Sequence, residues 1–165
     1  MNRPSRLTSA ILIAVIALSA SDAMAARVLL AELLTRQPAA AGQHAMSGLV
    51  LEACLRRAGE LDRTGVALDT QVVGIDRLAA EGMMLQNQLD AELPIVGNYD
   101  EKGLNDFQRR VIRREELTRQ FKSDFSVYQN SQKNYDAAMA EFDRDCSGPF
   151  TAGDLDAAKT KLGIK

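Results

Sequence analysis

Residues 141–150 read "EFDRDCSGPF", and residues 51–57 read "LEACLRR". The two stretches hold the only two cysteines of a 165-residue chain, Cys146 and Cys54. What lies between them decides whether the thiols are a catalytic pair, a metal site or a staple. Counting back from Cys146 in sevens gives Met139, Gln132, Phe125, Thr118, Val111 and Leu104. A second row runs Phe142, Tyr135, Tyr128, Phe121, Arg114 and Phe107. Counting forward from Cys54 gives Leu61, Leu68, Ile75, Gly82 and Leu89, beside Leu51, Ala58, Gly65, Val72, Ala79, Gln86 and Leu93. A seven-residue apolar repeat kept over about six heptads predicts a left-handed coiled coil.

Pro94, Gly97-Asn98 and Gly103 make the one strong break between these rows,. Folding the chain there, near residue 100, pairs residues whose numbers sum to about 200. Cys54 then faces Cys146, Ala58 faces Phe142, Gly65 faces Tyr135 and Ala79 faces Phe121. Small residues meet aromatic ones, as a densely packed seam requires. Arg57 falls near Asp145, Glu92 near Arg110 and Asp76 near Lys122, while Asp62 near Asp136 opposes the pattern. The register thus predicts a Cys54–Cys146 disulfide from packing alone; free or intermolecular thiols are the alternatives. Redox catalysis would favour a short Cys-x-x-Cys spacing. His44 is the only histidine, which disfavours a metal site, and it is expected to be exposed near a helix start,.

The fold expected is all-α: a long antiparallel two-helix coiled-coil hairpin closed by a disulfide, with short N- and C-terminal helices. Its parts are a signal peptide at 1–25, a short helix and linker at 26–43, the hairpin at 44–147 with its turn at about 94–103, and a C-terminal tail with a short helix at 148–165. In the first part, Arg3 and Arg6 precede an apolar run from Ala10 to Ala20, and Ala23-Met24-Ala25 has the small-x-small form of a cleavage site,. The alternative is a retained N-terminal anchor. Cleavage implies export, in a bacterium to the periplasm or beyond it, and an oxidising compartment favours the disulfide. In the last part, Thr151 and Asp154 form a helix-capping pair,.

Removing Arg3, Arg6 and Asp22 from 20 basic and 22 acidic side chains leaves 18 against 21. So mild a net charge, together with export, disfavours nucleic acid as a partner. No segment beyond the signal is apolar and long enough to span a membrane. No Ser/His/Asp grouping, phosphate loop or carboxylate pair in a cleft is visible, so neither an enzyme nor a cofactor is expected. The repeating aspartates 62, 69, 76 and 90 lie seven or more residues apart, too far to share one calcium ion,.

Two surfaces stand out as candidates for a protein partner or a second copy. One is the hairpin tip, Pro94, Ile95, Val96 and Tyr99; the other is an apolar flank, Leu78, Leu85 and Leu117, with Met83 and Met84 beside it,. Between them Arg114 falls in the seam opposite Gln86, a polar layer that either fixes register or marks a bend or contact,.

Tyr128, Tyr135, Phe142, Cys146, Gly148, Pro149 and Phe150, with Cys54 as the early partner, resemble the pattern of a group of small exported bacterial proteins built as α-helical hairpins. The resemblance covers roughly residues 48–162. It implies fold and compartment rather than activity. Asp136 and Asp143 stand where that group usually has Asn after the aromatic. The function expected is a periplasmic structural or protein-interaction hairpin. A holdase-type chaperone, or an inhibitor or immunity-type binder of an exported protein, are the alternatives.

Overall fold

The computed structural model describes residues 28–39 and 45–164. The expected signal segment and His44 lie outside the described residues. Among the described residues four α-helices are formed: α1 Leu29–Thr35, α2 Gly48–Glu92, α3 Glu101–Cys146 and α4 Ala152–Leu162. No strand occurs among the described residues. The long helices α2 and α3, of 45 and 46 residues, pack along one another as an antiparallel hairpin. At ~1.5 Å per residue each spans about 70 Å.

The seam follows the seven-residue rows. Leu51, Cys54, Ala58, Leu61, Gly65, Leu68, Ile75 and Leu89 are buried on α2, and Tyr135, Met139, Phe142 and Cys146 on α3. The remaining row positions are half-buried, except Leu93 and Leu104 where the helices part at the tip. Ala58 is 0 % exposed and its expected partner Phe142 3 %, so the small-against-aromatic layers close. The disulfide joins Cys54 to Cys146 with Cα atoms 5.7 Å apart, the geometry that the register requires,.

Each helix boundary has a local cause. Ser47 caps α2 by accepting from Val50 N, so that helix begins at Gly48, later than the break near residue 44 implies,. Asp100 caps α3 by accepting from Gly103 N at 2.7 Å. The cap starts that helix at Glu101 rather than Leu104, and it draws Gly103 out of the turn into the first helical turn. A Cβ on Gly103 would stand 3.1 Å from Asp100 Oδ1 and 3.3 Å from Tyr99 Cβ, so close approach rather than turn geometry asks for glycine there,. Thr151 caps α4 by accepting from Asp154 N at 3.1 Å, as the capping pair predicts. Gly163, at φ 65°, ends that helix in the left-handed conformation,.

The open end of the hairpin is more than two helices. Leu29 and Leu33 of α1, Phe150 after α3 and Ala158 of α4 join Leu51, Cys54, Leu55, Phe142 and Cys146 in one core. Backbone bonds tie the linker to the post-α3 turn: Ala39 N donates to Phe150 O and Met46 N to Pro149 O. The disulfide therefore lies inside this core, with Cys54 2 % and Cys146 1 % exposed. Among the described residues, nothing forms a second layer on the arms beyond Leu68 and Tyr128, and only Ile75, Leu89 and Leu117 are buried there.

A loop of 92 residues is closed by the disulfide. In the chain-entropy account a closure of that length stabilises by about 4–5 kcal/mol. Urea unfolding of the oxidised chain against the Cys54→Ser/Cys146→Ser double variant is expected to show a loss of that order. A loss below ~1 kcal/mol would contradict a structural role for the bond.

Candidate interaction surfaces of the hairpin

At the tip, α2 ends at Glu92, and a single 3-10 turn, Val96–Asn98, leads to Asp100. Leu93 and Ile95 are 61 % and 51 % exposed; Pro94 is exposed and Val96 half-buried. Tyr99 does not project. Its ring packs edge-on to Phe107 at 6.5 Å, and its hydroxyl donates to Glu92 Oε2 at 3.0 Å. Burial, then the Glu92 hydrogen bond, raise the Tyr99 phenol above its ordinary value,. Arg110 bridges to the same carboxylate. The expected tip thus divides: Tyr99, Glu92 and Arg110 lock the turn, and Leu93, Pro94 and Ile95 present an apolar edge to solvent. Leu104, 42 % exposed, lies on the adjoining turn of α3.

The expected flank is less open than its sequence implies. Leu117 is 1 % exposed and offers nothing to a partner, while Leu78 and Leu85 are half-buried. Arg113 reaches from α3 to Glu81 of α2 at 2.9 Å, spanning this side of the hairpin. An open groove of about 530 Å3 remains beside it, between Gly74, Leu78, Gln120 and Val127. In the seam, Arg114 Nη1 donates to Gln86 Oε1 at 2.9 Å, so the expected polar layer is formed. Arg114 Nε and Arg110 Nε are buried without a hydrogen-bond partner among the described residues. A buried donor left unpaired costs free energy.

The base carries interactions that heptad arithmetic does not reveal. Asp62, the residue that opposed the charge pattern, accepts from Leu29 N at 2.8 Å and from Leu30 N at 3.1 Å. It is the cap and the dipole partner of α1, which lies antiparallel to α2. At the other end of α1, Arg36 Nη1 donates to Cys146 O at 2.9 Å, satisfying a carbonyl at the end of α3,. Glu52 holds α4 to α2 by accepting from Lys161 at 2.6 Å, and it also pairs with Arg56. The expected Arg57–Asp145 pair forms at 3.1 Å, with Arg57 also reaching Glu141. Sequence offers one signal for these contacts, the misplaced charge of Asp62. Glu52 and Arg36 give none.

No group of three or more His, Cys, Asp or Glu side chains able to hold a metal ion occurs among the described residues. No helix among them is long and apolar enough to cross a membrane. Comparison with protein-family models, with curated proteins and with solved structures finds no match for this chain.

Two outcomes are expected at the base. Asp62→Ala removes the α1 cap, worth about 1 kcal/mol. Hydrogen exchange at Leu33 and Leu34 should accelerate about fivefold, while amides near Leu61 hold; unchanged α1 exchange would contradict the capping role. The second concerns pH. Hydrogen bonds from Lys161, then Arg56, hold the Glu52 carboxyl below its ordinary value. A depressed folded value means that this stabilisation is present at neutral pH and is lost as pH falls through the carboxylate range. Exchange of the α4 amides should therefore rise as pH falls below about 4, relative to the seam and beyond the intrinsic pH dependence of exchange. In Glu52→Gln it should already be high at pH 7. Equal α4 protection in the two proteins would count against the contact.

Proposed function

We propose that this chain is an exported, non-catalytic protein-interaction hairpin, acting in the periplasm of a bacterium. A buttressed base presents a long arm whose tip engages a protein partner. The observation that carries this reading is the unequal construction of the molecule. The disulfide and nearly all of the multilayer core lie at one end, among Leu33, Cys54, Phe142, Cys146 and Phe150. The other end turns on a locked Tyr99–Glu92–Arg110 cluster and leaves Leu93 and Ile95 in water. A fixed turn that exposes apolar side chains lowers the ordering cost of docking. Its small size suits a groove on a partner better than a flat face. Open shallow grooves along the arm suit contact with a protein surface better than enclosure of a small substrate,.

A holdase activity is the second reading, favoured by apolar side chains scattered along the arms. Val66, Val73, Met84, Ile112 and Val127 are all more than half exposed. The two readings put the contact in different places. A photo-crosslinking residue at Ile95 should capture one discrete partner in the periplasm, and the same residue at Val73 should not. Ile95→Asp, exposed and expected to change stability by less than ~0.5 kcal/mol, should abolish co-purification of that partner. Capture of many unfolded proteins at both positions would favour the holdase. Retention of the partner by Ile95→Asp would contradict tip docking.

A further inference from the structure

The side of α2 that receives α1 continues past it with closely similar chemistry. α1 packs where Gly59 leaves room: Leu30 Cδ2 lies 4.0 Å from the position of a Gly59 Cβ. Its first amides sit on Asp62. Seven residues nearer the tip the same two rows hold Val66 and Asp69, and seven further on Val73 and Asp76. Val66 and Val73 are 58 % and 68 % exposed, and Asp69 is exposed. Asp69 makes no hydrogen bond or ion pair among the described residues. Asp62 and Asp76 stand seven residues to either side of it in the same row of α2. Across the hairpin on α3, the Tyr128 phenol is raised by burial, then by the charges of Asp69 and Asp136.

The direction of α1 matters here. Its C-terminal end reaches Cys146 through Arg36 and its first amide sits on Asp62, so the N-terminal end of α1 faces along this row toward the tip. Ala26 precedes Leu29 by three residues, a reach of roughly 10 Å in extended chain. One heptad of α2 is also about 10 Å. Cleavage after Ala25 would give Ala26 an α-ammonium group, with the Arg27 guanidinium next to it.

We propose that the N-terminus created by signal cleavage, Ala26-Arg27, docks along α2 beyond α1, with its α-ammonium on Asp69 and its chain covering Val66. The occupant follows from the continuity of the α1 interface, the matching reach and the opposite charge. The proposal rests on the export reading above, and it makes processing a step that completes the fold. The precursor, with an amide in place of the ammonium, lacks the charge that Asp69 meets.

The test uses the chain 26–165 made with Ala26 as its first residue and 13C-labelled alanine. Titration of the Ala26 methyl signal is expected to give an amine pKa about half a unit above the ordinary 7.7–8.0, because a carboxylate partner favours the charged form. Asp69→Asn, an exposed substitution that leaves the seam intact, should return it to the ordinary value, and Asp76→Asn should leave it raised. Identical titration in the parent and Asp69→Asn would overturn the docking. A shift that depends on protein concentration would also overturn it, since the bound segment would then belong to a second copy. The mass of the exported protein tests the other premise separately: a mature chain beginning elsewhere than Ala26 refutes the processing, whatever the titration shows.

Discussion

Two helices of about 45 residues can slide past one another in steps of a heptad, and each step would still bury some apolar surface. One constraint selects a single step here. Ala58 and Gly65 accept Phe142 and Tyr135 only when Cys54 stands opposite Cys146. The disulfide then makes that register covalent. Every later contact inherits it: Arg57 with Asp145, Arg113 with Glu81, Arg114 with Gln86, and Glu92 with Arg110. A slip of one heptad would move a side chain by about 10 Å and part all of these pairs.

The same constraint explains why the two ends differ. Near the disulfide, α1, α4 and Phe150 supply a second layer, and leucines there are almost wholly removed from water. Burial on that scale contributes ~1.5–3 kcal/mol per large side chain. Toward the tip the seam is one layer thick and includes Gly82, Thr118, Gln86 and Arg114. Covalent closure lies among the best-packed residues, so the arm is free to be thin. Local opening should therefore begin in the distal half and leave the clasped base closed.

How much of this could be read without coordinates follows from which interactions are periodic. The hairpin, its seam and the disulfide repeat every seven residues, so Cys54, Phe142 and their neighbours announce themselves. The Thr151–Asp154 cap is equally local and equally legible. The contacts of α1 and α4 are neither periodic nor local: Asp62 to Leu29, Lys161 to Glu52 and Arg36 to Cys146 span 33, 109 and 110 residues. Only the charge conflict at Asp62 hinted at one of them. The candidate surfaces were placed in part. Ile95 is exposed as composition suggested, but Tyr99 folds back on Glu92. Leu117 is buried in the hairpin, and spacing alone does not separate such a position beside the seam from an open flank.

The central claim is that this register pairs the two cysteines within one chain. Peptide mapping of the unreduced monomer tests it most directly. The account predicts one disulfide-linked peptide pair, containing Cys54 from "LEACLRR" and Cys146 from "EFDRDCSGPF", with no free thiol to alkylate. Free thiols at both positions, or a Cys54–Cys54 link between chains, would contradict it.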